Sequence, residues 1–495
     1  MNKSAGIAIG VLVVAGALAS AGAWYTGNQL EGVLNESIQK ANQELQKSLA
    51  STDSGVTIEL VSLERHFFSS TAHYRVELQS QDFARDGKNA EFLFVDNIEH
   101  GPIPLSRLKT LKLMPVMALS NFQMEKNASS EKWFAMSGDA SPLNGQASIG
   151  YDRSTNGWVK MSPLEMSDAD GVFKFSGLDT KFEVSADAEK LKLTGALGNL
   201  QLNVASTEGP VSVEIKGMTF DTGGTRGQSG MYLGHTNLKV DNIGFQMVGK
   251  QPVLIKDFVN TNLAQEEGGN LAMQINYDMG MISYSGKDIG AAHLGLRFAN
   301  LDALSSKFLY QFYQDQVLPQ QQAAAQAGRP FQLKLSPADE QLMKAELTKF
   351  LTGKPHLELE KLSLKTANGE SHVNIAVDLT NPGPLDQAGS DAAIKAVEQL
   401  KARVVLSKPM VNDVATLQAV FDGQTDANAI AEQAAAASDM LSAMAEMLQL
   451  AKVEGSNIVS DLHYANGMVD FNGQKMTLQQ FMATVMGKVG ALSHE

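Results

Sequence analysis

From about Val56 onward the side chains alternate between apolar and polar with a period of two, and no other feature constrains the fold as strongly. Val56, Ile58 and Leu60 open the pattern, and it is clearest between Gly171 and Phe220. There Phe173 and Phe175 flank Lys174, Phe182 and Val184 flank Glu183, and Leu191 and Leu193 flank Lys192. Leu200, Leu202 and Val204 follow, then Val211, Val213 and Ile215. The runs are centred about ten residues apart, with Ser, Gly, Asp and Pro between them, which is the rhythm of an antiparallel meander with one buried face. Parallel strands need crossovers of about a dozen residues, and these gaps are too short for them. The alternation continues through Leu238–Phe245, Leu271–Tyr277 and Leu294–Phe298, and Gly223–Gly227 reads as a glycine-rich loop interrupting it. Residues 51–300 are therefore expected to form an antiparallel β-rich body, a long curved sheet or groove.

Near Leu301 the period becomes helical, with Leu301, Leu304, Phe308 and Phe312 on one face. Gln320–Gly328 is Gln/Ala-rich and reads as a helix end or loop. Ser336, Pro337, Gly353 and Pro355 punctuate another helix. A hairpin is expected from Leu357–Leu364 and Val373–Leu379 around Asn368-Gly369, and strand signal returns at Ala402–Leu406. Pro409–Lys452 is helix-rich, Asn457–Asp461 and Met468–Asn472 form a last hairpin, and a final helix carries Leu478, Phe481, Met482 and Val485. The fold class is α+β and β-dominated, with residues 301–495 a mixed, helix-richer C-terminal region.

The N-terminus has a different character. No charge interrupts Ser4 to Leu30, and its apolar centre, Ala5 to Tyr25, is 21 residues long. At 1.5 Å per residue a helix of that length spans a hydrocarbon core of about 30 Å. Lys3 precedes the segment, and Trp24 and Tyr25 close it with rings suited to the interface. Residues 1–30 are thus expected to be a cytoplasmic N-terminus and a single transmembrane helix that leaves the body in the periplasm. A cleaved signal is the alternative, since Ala19-Ser20-Ala21 and Ala21-Gly22-Ala23 resemble cleavage sites, but signal cores are shorter. Gly6 and Gly10 form a G-x-x-x-G pair. Residues 31–50 read as an amphipathic helix whose Leu34, Ile38, Ala41, Leu45 and Leu49 make one stripe; a spacer, a dimerising coil or a docked helix would all fit.

A net charge of −14 argues against nucleic acid as a partner, and the lack of cysteine removes disulfides, thiolate metal sites and cysteine nucleophiles. Motifs for nucleophile elbows, phosphate loops and zinc helices are missing, and the nine histidines are scattered without helical pairing. Asp221-Thr222-Gly223 and Asp53-Ser54-Gly55 match the D-[ST]-G of aspartic proteases, which is also ordinary turn chemistry. Ser37–Lys40 and Ser129–Lys132 match S-x-x-K without its partner motifs. Met440, Met444 and Met447 form a helical stripe that suits a core better than a binding surface. The tightest local pattern is Glu99-His100-Gly101-Pro102-Ile103-Pro104-Leu105, where prolines fix φ beside a glycine and a histidine. His100, Gly101, Pro102 and Pro104 are the candidate interaction loop, with a structural corner as the plain alternative.

The islands Met1-Asn2-Lys3-Ser4, Gly22-Ala23-Trp24-Tyr25-Thr26-Gly27, Phe68-Ser69-Ser70, His100-Gly101-Pro102 with Pro104-Leu105, and Tyr464-Ala465-Asn466-Gly467 with Asn472-Gly473-Gln474-Lys475-Met476 resemble the YdgA-like family of Gram-negative envelope proteins. The resemblance implies an inner-membrane protein with a periplasmic, self-associating body and supplies no catalytic residue. Three functions are consistent with these features. The first is a non-enzymatic, membrane-tethered protein that binds an apolar ligand such as lipid on an incompletely covered sheet or supports envelope lipid transport, with no cofactor. The second is a dimeric envelope interaction scaffold, a homo-oligomer formed through the Glu31–Leu49 helix and the G-x-x-x-G anchor, and the third is a hydrolase of envelope polymers.

Overall fold

The structure is a computed structural model and describes residues 30–49, 55–79, 89–168, 171–204, 209–383 and 392–492. The expected anchor Ala5–Tyr25, and Asp53 and Ser54 of the second D-[ST]-G match, lie outside the described residues. Among the described residues no helix is long and apolar enough to cross a membrane. The chain divides into two compact units, one through Arg226 and one from Gly227.

The first unit opens with helix α1 (Leu30–Leu49), whose stripe Leu34, Ile38, Ala41 and Leu45 is buried. These side chains join Ile58, Tyr74, Phe94 and Phe122 in one core, each large apolar side chain contributing about 1.5–3 kcal/mol. Of the three readings of this stripe, the docked helix is therefore the one observed. Beneath it β1 (Gly55–Arg65), β2 (Ser69–Gln79), β3 (Ala90–His100), β4 (Ala118–Glu125), β5 (Leu143–Ile149) and β6 (Thr155–Met161) pair antiparallel in chain order. Short helices α2 (Leu105–Lys109) and α3 (Glu131–Met136) interrupt the connections on either side of β4. Next, β7 (Leu164–Asp168) and β8 (Gly171–Phe175) form a hairpin, and β9 (Leu178–Val184) returns to β6. One long strand, β10 (Lys190–Val204), pairs with β9 along one half and with β8 along the other, and β11 (Val211–Arg226) pairs with all of it. Gly223 and Gly224 continue this ladder opposite Lys192 and Leu191, so the expected Gly223–Gly227 loop is corrected: its residues through Arg226 are strand, held by backbone pairing that glycine does not prevent.

In the second unit β12 (Tyr232–Gln246), β13 (Val253–Glu267), β14 (Asn270–Tyr284) and β15 (Lys287–Asp302) form a meander. Leu301 belongs to β15, and the helix expected to begin there starts at Ala303, where the Asp302 carboxylate accepts from the Ser305 backbone N–H at 2.7 Å. From there α4 (Ala303–Phe312) runs through a π-turn (Tyr313–Val317) into α5 (Leu318–Gln326), so most of Gln320–Gly328 is helix. Then α6 (Pro337–Thr352) is capped by Ser336, whose hydroxyl accepts from Asp339 N–H at 3.1 Å. The sheet resumes with β16 (His356–Lys365), β17 (Glu370–Leu379) and, after the single turn α7 (Ala392–Lys395), β18 (Val397–Ser407). Helices α8 (Lys408–Phe421) and α9 (Ala427–Met447) pack together before β19 (Lys452–Glu454), β20 (Asn457–Ala465), β21 (Met468–Phe471), β22 (Gln474–Thr477) and α10 (Leu478–Leu492). Both β19 and β21 lie along one edge of β20, and β18 lies along the other. The buried face of α9 is Ile430, Ala434, Ser438 and Ser442, while Met440 and Met447 are exposed. The methionine stripe is therefore not core; small residues let α9 approach its neighbours closely and leave the long side chains outside.

Candidate functional site

The loop singled out by sequence is a corner tied down from inside. His100 ends β3, its backbone N–H donates to Phe68 O at 2.9 Å, and its Nε2 lies 3.1 Å from the buried Ser70 hydroxyl. Burial holds the His100 imidazole below its ordinary pKa, which favours the neutral ring. The Gly101–Pro102 bond is cis. Gly101 donates to Met117 O at 2.8 Å, and a Cβ there would overlap the Val116 carbonyl. Pro102 O accepts from Val116 N–H at 2.9 Å, and Pro104 is fully buried. Arg107 closes the far side, donating to the Ser148 hydroxyl at 3.2 Å and to Met114 O at 3.0 Å. The four predicted residues thus set the geometry of the connection, which exposes Pro102 and its neighbours Ile103, Leu105 and Leu108.

Behind this corner sits a buried polar pair that sequence inspection did not single out. Asp96 points into the core between Phe94 and Ile98, and the Ser120 hydroxyl lies 2.8 Å and 2.9 Å from its carboxylate oxygens. Desolvation pushes the Asp96 carboxyl up to about 7, and the bond from Ser120 opposes that rise. The Tyr74 hydroxyl is buried without a hydrogen-bond partner among the described residues, and desolvation together with the Asp96 charge raises its pKa well above the ordinary value. On the opposite face of the same sheet, a cleft of about 730 Å³ is lined by Arg107, Lys112, Trp158, Lys181, Lys190 and Lys192, with Glu183 among them. That cleft has the charge to hold an anionic group. Asp221 lies within β11 opposite Thr194, on a strand and not on the tight loop that the protease motif needs, and it lines a depression of about 620 Å³ together with Asp179. Among the described residues no three His, Asp or Glu side chains come together as metal ligands.

The second unit carries the larger surface. Its register aligns Ile275, Leu296, Leu359, Ile375, Ala402, Leu462 and Phe471 in one row across seven strands. Beside it run Tyr277, Leu294, Leu362, Val373 and Val404. None of these side chains is fully buried; Leu362 is 48 % exposed and Val404 41 %. Across seven strands at about 4.8 Å per step, the longer row extends ~29 Å. At the β13 end it meets Asn260 and Asn262, whose amides bond each other at 2.9 Å and 3.2 Å. Helices cover the same face beyond these rows: Phe350 of α6 packs, as Met273, Phe298 and Leu357 do, against the buried cluster of Leu271, Leu301 and Ala303, and Phe421 of α8 meets Tyr284 edge-on at 5.2 Å. The reverse face is polar, with the cross-strand pairs Arg403–Asp461 at 2.8 Å, His293–Asp278 at 2.6 Å and His356–Asp378 at 2.6 Å. A shallower depression of about 490 Å³ on that face is lined by Glu358, Lys401, Arg403 and Asp461.

A family model described as a bacterial protein of unknown function (DUF945) matches residues 1–479. The chain belongs to this family. It is 26 % identical over 495 residues to Protein YdgA of Escherichia coli (strain K12), covering 97 % of this chain and 96 % of the relative. It is 21 % identical over 482 residues to the Uncharacterized protein YihF of the same organism, covering 96 % and 98 %. An Uncharacterized protein of Haemophilus influenzae (strain ATCC 51907 / DSM 11121 / KW20 / Rd) is 26 % identical over 163 residues, 32 % of this chain and 42 % of the relative. No solved structure matches. Family membership agrees with the resemblance read from the sequence islands, and the family's description assigns no activity.

Proposed function

We propose that this DUF945 protein is a single-pass inner-membrane protein whose periplasmic body binds the acyl chain of a lipid along the apolar rows of its second unit, without catalysing a reaction. The observation that carries the reading is the pair of half-exposed rows crossing the sheet between helix-covered ends. Apolar surface of this length is costly to leave against water, and its shape suits extended hydrocarbon. Neither row contains a carboxylate, a histidine or a lysine, so the strip offers burial and no acid–base chemistry. The uncharged run from Ser4 to Leu30 supports the anchor, and Lys3 before it supports the orientation.

A photoreactive phenylalanine analogue tests the binding reading. Placed at Ile375 in the full chain and activated in cells, it is expected to yield lipid adducts by mass spectrometry; placed at Lys401 on the reverse face, it is expected to yield none. Adducts to protein alone at Ile375 would move the function to the scaffold reading, and equal lipid adducts at both positions would remove the strip as a site.

A further inference from the structure

In the first unit the most exposed large apolar side chains converge at one end of the sheet. The β1–β2 hairpin presents Phe67, 88 % exposed, and Phe68, with ring centroids 4.6 Å apart. The β3–β4 connection presents Leu105, Leu111 and Met114, with Leu111 82 % and Met114 76 % exposed. Two backbone bonds hold the hairpin, this connection and the next turn side by side: His100 N–H to Phe68 O at 2.9 Å, and Met117 N–H to Ile149 O at 2.8 Å. Tyr151 in that turn is exposed too.

The charge of this tip runs against the chain's excess of acid. Residues 101–117 contain Arg107, Lys109 and Lys112 and no carboxylate, in a protein of net charge −14. The cleft that adds Lys181, Lys190 and Lys192 is lined by the same Arg107 and Lys112. Apolar side chains rimmed by lysine and arginine match an anionic lipid surface, where rings and aliphatic chains enter the interface and cations meet headgroups.

The position of the chain's entry selects that surface over other partners. Arg65, two residues before Phe67, donates to Glu31 at 3.0 Å, so the start of α1 lies beside the hairpin. Leu30 is five residue steps from Tyr25, the end of the apolar segment. Even fully extended they reach only about 18 Å. If the segment spans the bilayer, the tip sits against the same membrane. We infer that the tip formed by residues 66–68 and 101–116 docks the first unit onto the periplasmic leaflet of anionic phospholipid, inserting Phe67, Phe68, Leu111 and Met114. The inference rests on the anchor reading above and adds a second, independent membrane contact. It gives the candidate loop its role: His100, Gly101, Pro102 and Pro104 fix the base from which the apolar side chains project.

The natural chain has no cysteine, so single cysteines can be labelled cleanly. The full-length protein would be reconstituted in phosphatidylethanolamine/phosphatidylglycerol vesicles with an environment-sensitive fluorophore at Val13→Cys, Phe67→Cys, Met114→Cys or, as control at the other end of the sheet, Lys132→Cys. Lipids carrying a quencher near the headgroup or deep in the acyl chain report depth. The expected result is deep quenching at 13, shallow quenching at 67 and 114, and none at 132. Quenching at 13 without quenching at 67 and 114 overturns the docking tip and leaves the anchor standing. Quenching at 67 and 114 without 13 supports the tip and removes the anchor. Quenching at none of 13, 67 and 114 removes both, and equal quenching at 132 overturns a contact confined to the tip.

Discussion

The side-chain amide of Asn42 serves both backbone groups of Ile58: its Oδ1 accepts from Ile58 N–H at 2.9 Å and its Nδ2 donates to Ile58 O at 2.9 Å. Strand β1 pairs with β2 on one side, and on the other it is covered by α1 through this amide and the Leu34–Leu45 stripe. A sheet edge left open invites pairing with another chain, so the helix acts as a protective cover as well as a source of burial. Asn42→Ala leaves two part-buried backbone groups without partners. The expected cost is about 1–3 kcal/mol, read from the urea midpoint, with faster amide exchange at Ile58. Unchanged exchange at Ile58 would mean that α1 covers the edge without the amide.

Asp96 makes the first unit sensitive to pH in the direction opposite to a salt-bridged carboxylate. An unfolded aspartate titrates near 3.9, and the folded one near 7, so between these values the fold holds a proton that the unfolded chain has released. Stability is therefore fully present below about pH 4, declines as pH rises toward 7, and levels off above, with a slope of up to about 1.4 kcal/mol per pH unit from this group. Asp96→Asn is expected to remove that decline and to stabilise the protein more at pH 8 than at pH 5. Ser120→Ala removes a bond to the charged form, so it should extend the decline to higher pH. Urea titrations across pH 4–9 measure both; an Asp96→Asn profile parallel to the parent's would assign the sensitivity elsewhere.

Much of the fold was legible because period-two alternation survives locally: Phe173/Phe175 and Leu191/Leu193 each lie in the strand their pattern demanded. Misreadings arose where a residue's local preference and its tertiary setting disagree. Gly223 and Gly224 signal a turn in isolation, yet their ladder with Lys192 and Leu191 keeps them extended. The methionines of α9 signalled a core, yet the buried face is Ala434, Ser438 and Ser442, small residues that hydrophobic spacing does not detect. The apolar rows of the second unit were legible strand by strand but not as a surface, because register aligns Leu296 with Leu359 and Ile375 across a bulge at β16. Phe67 and Leu111 are far apart in sequence, and nothing local announces that their connections adjoin.

Gly145 faces Phe122 across β4 and β5, and the ring occupies the space a side chain would need. Gly157 with Phe182 and Gly195 with Phe220 repeat the arrangement on the following strands, so aromatic rings cover backbone left bare by glycine. In Gly145→Ala the new methyl meets the Phe122 ring and the Trp158 carbonyl. Overpacking of this kind is expected to cost about 1–3 kcal/mol, measured from urea unfolding. A companion Phe122→Leu in the same chain should recover part of the loss; failure to do so would trace the cost to the Trp158 carbonyl.

Stability and ligand loading should separate on the strip of the second unit. Leu362 and Val404 sit two strands apart in one row and are exposed enough that hydration already claims much of their surface. Replacing both with glutamine removes hydrocarbon from the strip while leaving the backbone ladder intact. A surface change of that kind shifts stability by about 0.5 kcal/mol per site or less, whereas a packed core leucine cut to alanine loses about 2–5 kcal/mol. The expected outcome is a nearly unchanged urea midpoint together with loss of lipid adducts from the photoreactive probe at Ile375. Retained adducts would show that the ligand does not use this row. A large fall in the midpoint would mean that the row is covered by the protein itself, and the surface would then be core rather than site.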